Sequence, residues 1–146
     1  MKYKKISSKN EIKKEHPDIY IIDTKCNEKE ARRIIETLKA RDFDGETGVI
    51  GGDNIFNRRT LETLKTDYLI SPEREIQDSR NIKKKDTLKQ RDSGLNHVLA
   101  KIAKDNGIDI VIDLSEIKNM KNNIKKARIM SRIMQNIKIC RRAGCG

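Results

Sequence analysis

The sequence predicts an α/β fold built on a parallel sheet, and three observations carry that expectation. Short apolar runs bounded by turn signals alternate along the chain with amphipathic helical periods. The strand-like segments are nearly continuous in apolar residues, as in Ile108-Asp109-Ile110-Val111-Ile112-Asp113-Leu114, a pattern that suits burial on both faces. A chain of 146 residues fits one domain, burying ~68–70% of its unfolded surface if it is compact.

The elements follow in order. Ile19-Tyr20-Ile21-Ile22, after the turn residues His16-Pro17-Asp18, reads as the first strand. Asn27 then caps a helix, with Glu30 three residues later. Its apolar stripe is Ala31, Ile34, Ile35 and Leu38, and it ends near Asp42. Gly48-Val49-Ile50-Gly51-Gly52 is the second strand, running into a glycine turn, and a helix spans about Asn57 to Leu64. Asp67-Tyr68-Leu69-Ile70-Ser71 is the third strand, stopped by Pro72. Residues 73–91 are polar and basic without an apolar period, which predicts a long exposed loop. Ser93 opens the next helix, whose Leu95, Val98, Leu99, Ile102 and Ala103 recur at core spacing. Asn106-Gly107 closes it before the fourth strand, Ile108 to Leu114. A last helix, about Asn122 to Arg142, is expected to bury Ile124, Ala127, Met130, Ile133, Met134 and Ile137. Its other face would carry Lys121, Lys125, Arg128 and Arg132.

Composition narrows the function classes. Hydrophobic residues make up 35% of the chain and charged residues 38%, which describes a lean folded domain. No stretch approaches the ~18 apolar residues of a membrane span, and MKYKKISSKN lacks the apolar core of a signal peptide. A cytoplasmic protein is expected. Cys26, Cys140 and Cys145 form neither an even disulfide set nor, with any nearby His, a zinc site, so they read as reduced thiols. The net charge is +11, and it is segregated. Residues 1–14, 80–91 and 117–146 together carry +19, leaving −8 for the rest. Such a distribution favours a polyanionic partner, most often nucleic acid.

Catalytic signals are missing by contrast. The chain has two histidines, His16 at a strand entrance and His97 in the first turn of a helix. It has no His-Glu-x-x-His, no Gly-x-Ser-x-Gly and no phosphate loop, and Gly48 to Asp53 lacks the spacing of a dinucleotide fingerprint. Binding signals are stronger. Lys83, Lys84, Lys85, Lys89 and Arg91 precede a helix N-terminus, where free N–H groups attract phosphate, and Gly94 allows close backbone approach. The 3% aromatic content argues against stacking on bases and for contacts to phosphates and nucleic-acid shape.

The run Arg91-Asp92-Ser93-Gly94-Leu95-Asn96-His97-Val98-Leu99-Ala100-Lys101-Ile102-Ala103, with Lys85-Asp86 before it, resembles the signature of ribonuclease P protein component 3. This is the archaeal counterpart of the thirty-kilodalton eukaryotic ribonuclease P subunit. Two weaker segments agree: Gly51 to Glu73, and Lys126-Ala127-Arg128 through Gln135-Asn136-Ile137-Lys138. Together the resemblance covers residues 17 to 146.

The resemblance implies a TIM-barrel-like fold related to the polymerase and histidinol phosphatase superfamily. A closed barrel takes at least ~200 residues, so 146 residues with four strands would supply a partial or reduced barrel in one domain. It also implies a non-catalytic RNA-binding subunit that supports a catalytic RNA in removing 5′ leaders from precursor tRNA. The expected partners are ribonuclease P RNA, component 2 and the other protein subunits. No cofactor is expected in this chain, and Mg2+ would enter through the RNA. Arg58, Lys84, Lys85, Lys89, Arg91, His97, Lys101, Arg128 and Arg132 are the expected RNA or partner contacts. The alternatives are a metal-dependent phosphoesterase of the same superfamily and a basic assembly scaffold that touches only protein.

Overall fold

The computed structural model describes residues 1–75 and 84–146. Strands β1 (Tyr3–Ile6), β2 (Ile19–Ile22), β3 (Glu46–Ile50), β4 (Tyr68–Ile70) and β5 (Asp109–Val111) form one parallel sheet in chain order. Between and after them lie α1 (Glu28–Ala40), α2 (Asn54–Thr63), α3 (His97–Asp105), α4 (Ser115–Lys118) and α5 (Asn123–Ala143). The expected α/β class with a parallel sheet is what the chain adopts.

Register decides which face the helices cover. Ile6, Ile22, Val49, Leu69 and Ile110 pair in one row and therefore share a face. The first core cluster sets Ile6, Tyr20, Ile22 and Val49 against Ala31, Ile34 and Leu38 of α1 and Phe56 of α2. The second sets Leu69 against Leu61, Leu99, Ala100, Ala103 and Ile139 of α2, α3 and α5. Ile50, Ile70 and Val111 occupy the next row, on the opposite face, and belong to neither cluster. Sequential order with the helices packed on one face is shared with the wall of a βα barrel. A doubly wound sheet reverses its order and carries helices on both faces. Among the described residues β1 and β5 do not pair, so the sheet has two edges.

Several elements differ from expectation, each for a physical reason. β1 was not anticipated, because Tyr3-Lys4-Lys5-Ile6 offers one strongly buried apolar residue, Ile6, in a basic segment. The strand expected over Ile108 to Leu114 is only Asp109–Val111, and it is an edge strand rather than one covered on both faces. Its outer edge meets the chain after α5, where the Ile110 N–H donates to the Gly146 carbonyl at 2.9 Å. α2 begins three residues earlier than Asn57, because the Asp53 carboxylate accepts from Phe56 N–H and caps it. The helix expected from Ser93 begins at His97, capped by Asn96, whose side chain accepts from Leu99 N–H at 2.8 Å. Within it Val98 is 65% exposed, while Leu99, Ala100 and Ala103 form the buried face.

α5 has close to the expected extent but a different inward face. Asn122 accepts from Ile124 and Lys125 N–H groups, and Gly144, at φ 72, closes the other end through its N–H to Cys140 O. Arg132, Ile133, Asn136 and Ile139 are buried. Ile124, Ala127, Met130 and Met134, expected inside, are exposed. Of the expected loop over 73–91, residues 76–83 lie outside the described residues, Lys83 among them.

Candidate nucleic-acid interface

Three chain segments distant in sequence meet at the C-terminal end of the sheet, and one buried amide ties them. Asn57 is fully buried in α2. Its Oδ1 accepts from Gly52 N–H at 2.9 Å, and its Nδ2 donates to the carbonyls of Pro72 and Gly94 at 3.0 and 3.2 Å. Gly94 has φ +76, and a Cβ there would collide with the Pro72 carbonyl and the Asn57 amide. The close approach that this glycine permits is therefore internal. Gly94 itself is buried.

α5 supplies a second clamp on the stretch 86–93. Arg132, Gln135 and Asn136 lie on one helical face at i, i+3 and i+4. Gln135 accepts from Arg91 N–H at 2.7 Å and donates to Arg91 O at 2.7 Å and Ser93 Oγ at 2.9 Å. Asn136 donates to Ser93 O at 3.0 Å. Arg132 meets Asp86 through two nitrogens, Nε to Oδ1 at 3.0 Å and Nη2 to Oδ2 at 2.6 Å, and reaches Glu75 at 3.0 Å. Such forked pairing fixes orientation as well as charge. Hydrogen bonding from Arg132 holds the Asp86 carboxyl below its ordinary range, against the opposing effect of burial. Burial works against the Arg132 charge, but the bonds to Asp86 and Glu75 outweigh it and raise its pKa.

The expected contact residues divide accordingly. Arg132 is a correction: its side chain is 0% exposed, and its charge is consumed by the clamp rather than offered to a ligand. Lys84 is a second one, with its side chain 7% exposed and its ammonium 2.9 Å from Asn54 Oδ1 and 3.8 Å from Asp92. Burial lowers its pKa, against the attraction of Asp92. Arg58, Lys85 and Arg91 line one cavity of about 590 Å3, between the first turn of α2, residues 85–96 and the start of α3. Arg58 also pairs with Glu62 at 2.8 Å. Lys89 and His97 are exposed and line a neighbouring hollow with Arg91. Lys101 and Arg128 are exposed on α3 and α5 and line neither.

α3 aims its first turn toward this surface. One of its free N–H groups goes to Asn96, and those of His97 and Val98 have no intrahelical acceptor. Val98, which sequence placed in the core, joins Ile55 in lining the cavity instead. Sequence reasoning missed the residues that hold the site, Asn57, Asp86, Gln135 and Asn136, because the bonds by which they join separate segments span 15 to 46 positions. Among the described residues, no group of three or more His, Cys, Asp or Glu side chains is arranged to hold a metal ion. Among them too, no helix is long and apolar enough to cross a membrane.

No family model matches the chain. Ribonuclease P protein component 3 of Methanococcus vannielii is 34% identical to it over 93 residues, 63% of this chain and 33% of that protein. The chain thus spans about a third of the relative's length. Among solved structures it is similar to a chain in the cryo-EM structure of archaeal ribonuclease P with mature tRNA. That match has a TM-score of 0.62 and 24% identity, and covers 87% of this chain and 47% of the other. An uncharacterized protein solved by crystallography matches at a TM-score of 0.56 and 10% identity, over 88% of this chain and 33% of its own. The resemblance carried by the run from Arg91 to Ala103 is met by a relative of that same description, and the chain is similar in sequence to ribonuclease P protein component 3.

Proposed function

We propose that the chain acts as an RNA-binding protein subunit of ribonuclease P, supporting a catalytic RNA in removing the 5′ leader from precursor tRNA. One observation carries the reading beyond the similarity itself. The three segments of the resemblance are the three that the Asn57 and α5 clamps bring together. Around the clamp stand Arg58, Lys85 and Arg91 beside the first turn of α3, a geometry suited to phosphate oxygens. Lys89, His97, Lys101 and Arg128 extend the basic surface. The chemistry belongs to the RNA and its Mg2+ in this reading, and the chain brings no active site of its own. Its partners are ribonuclease P RNA, component 2 and the other protein subunits.

The test is single-turnover cleavage of precursor tRNA by the RNA and the remaining protein subunits, with and without this chain. Addition should raise cleavage or lower the Mg2+ it needs. His97→Ala should weaken assembly yet recover full cleavage at saturating protein, since one lost hydrogen bond costs only ~0.5–1.5 kcal/mol. A fully assembled His97→Ala complex slowed ~10³-fold in the chemical step, a catalytic group's scale, would contradict the reading.

A further inference from the structure

The outward side of α5 carries a second feature that the clamp does not use. Ala127, Met130, Met134 and Ile137 follow one another at intervals of three and four residues, so they form one line along the helix. That line lies opposite the buried face of Arg132, Ile133, Asn136 and Ile139. Met130 is 39% exposed, Met134 52% and Ile124, one turn beyond, 74%. Single exposed apolar residues are ordinary on a surface, but a continuous stripe of them marks an interaction face.

Charge says what would cover it. α5 contains seven basic residues and no acidic one. Arg132 is spent on Asp86 and Glu75, and the other six form no ion pair with any described residue. Lys138 borders the stripe and Arg141 continues its line one turn further, and Lys138 and Arg142 line the hollow of about 660 Å3 that Met134 shares with the exposed Leu88 and with Lys89, Arg91 and His97. Phosphate backbone offers nothing to bury against methionines, and α5 has no aromatic ring to stack on a base. A helix with its own apolar stripe and acidic flanks satisfies both halves of the surface.

We propose that the outward face of α5 docks an acidic amphipathic helix of a protein partner, with Met130 and Met134 as its adaptable apolar contacts. The proposal goes beyond the ribonuclease P reading and stands or falls independently of it. The complementary charge sets the flanks and the stripe sets the register.

The test uses the full chain and a labelled synthetic helix of about 20 residues, with Leu at the three-four spacing of an apolar stripe and Glu on both flanks. A scrambled peptide of the same composition and polyuridylate RNA are the comparisons, all read by fluorescence anisotropy at near-physiological salt. The designed helix should bind roughly tenfold or more tighter than its scramble. The double variant Met130→Ser/Met134→Ser, which leaves every charge in place, should erase that advantage while RNA binding stays unchanged. On the unaltered chain the helix should also protect Met130 and Met134 from peroxide oxidation, with the 97% exposed Met1 as internal standard. Equal binding of the scramble, an undiminished advantage in the double variant, or unprotected methionines would reduce the effect to charge alone and overturn the proposal. A double variant that loses RNA and keeps the helix would overturn it too, by assigning the face to nucleic acid.

Discussion

Arg132 and Asp86 form a forked pair in which the guanidinium is fully buried. Removing one partner of a buried pair leaves the other charge without compensation, which costs ~3–5 kcal/mol. Arg132→Met should therefore lower the unfolding free energy read from urea melts by an amount of that order, and Arg132→Lys, without the fork, should fall between. An Arg132→Met chain as stable as the parent would mean that Asp86 is held elsewhere. Glu73 acts in the opposite sense. It is 2% exposed, its Oε2 has no hydrogen-bond partner among the described residues, and burial raises its pKa. A raised carboxyl pKa weakens the fold as pH climbs from the ordinary 4.5 through the raised value, and it has no effect well below 4.5. The lowered Asp86 pKa does the reverse. Its contribution is complete above the ordinary 3.8 and disappears as pH falls through the lowered value. Glu73→Gln should then stabilise the chain by ~1–3 kcal/mol at neutral pH, with the gain vanishing in melts well below the ordinary carboxyl range. A gain that persists in acid would point to packing instead. Neither role was legible in the sequence, where Arg132 shares a helix with Lys125 and Arg128 and nothing marks Asp86 as its partner.

Element boundaries were legible where a cap is a local event and obscured where long-range packing chooses the face. Asn27 and Asn122 both cap as their positions suggest, each accepting backbone N–H bonds from the next turn. α5 shows the limit. Ile124, Ala127, Met130, Met134 and Ile137 make the cleaner apolar stripe, yet the helix turns Arg132, Gln135 and Asn136 toward the loop that they clamp. α3 shows a smaller version, because Asn96 rather than Ser93 is its cap. Val98 and Leu99 are adjacent but differ sharply, 65% against 7% exposed. Leu99→Ala should cost ~2–5 kcal/mol through the cavity it leaves, and Val98→Ala should stay within ~0.5 kcal/mol, both read from denaturant midpoints. Equal effects would show that the helix is phased differently.

At the scale of the molecule, the parallel class and four of the five strands could be read from apolar runs and turn residues, and β1 could not. That Ile50, Ile70 and Val111 face away from both helix-covered clusters was also hidden, since a continuous apolar run does not say which face the helices will cover. Charge segregation survived the transfer to three dimensions only in part. Of the bases before α3, Lys84 turned inward, while Lys85, Lys89 and Arg91 remained around the two hollows beside its first turn. That selection makes the central claim specific. Lys85, Lys89 and Arg91 are the proposed phosphate contacts, held in place by α5. The direct measurement is the salt dependence of ribonuclease P RNA binding by the chain and by its Lys85→Gln/Lys89→Gln/Arg91→Gln variant. Each lost phosphate contact removes ~0.7–0.9 from the slope of log affinity against log salt, so the slope should shrink by roughly 2–3 units. A folded triple variant that binds the RNA with the parent's slope would show that this surface does not carry the RNA.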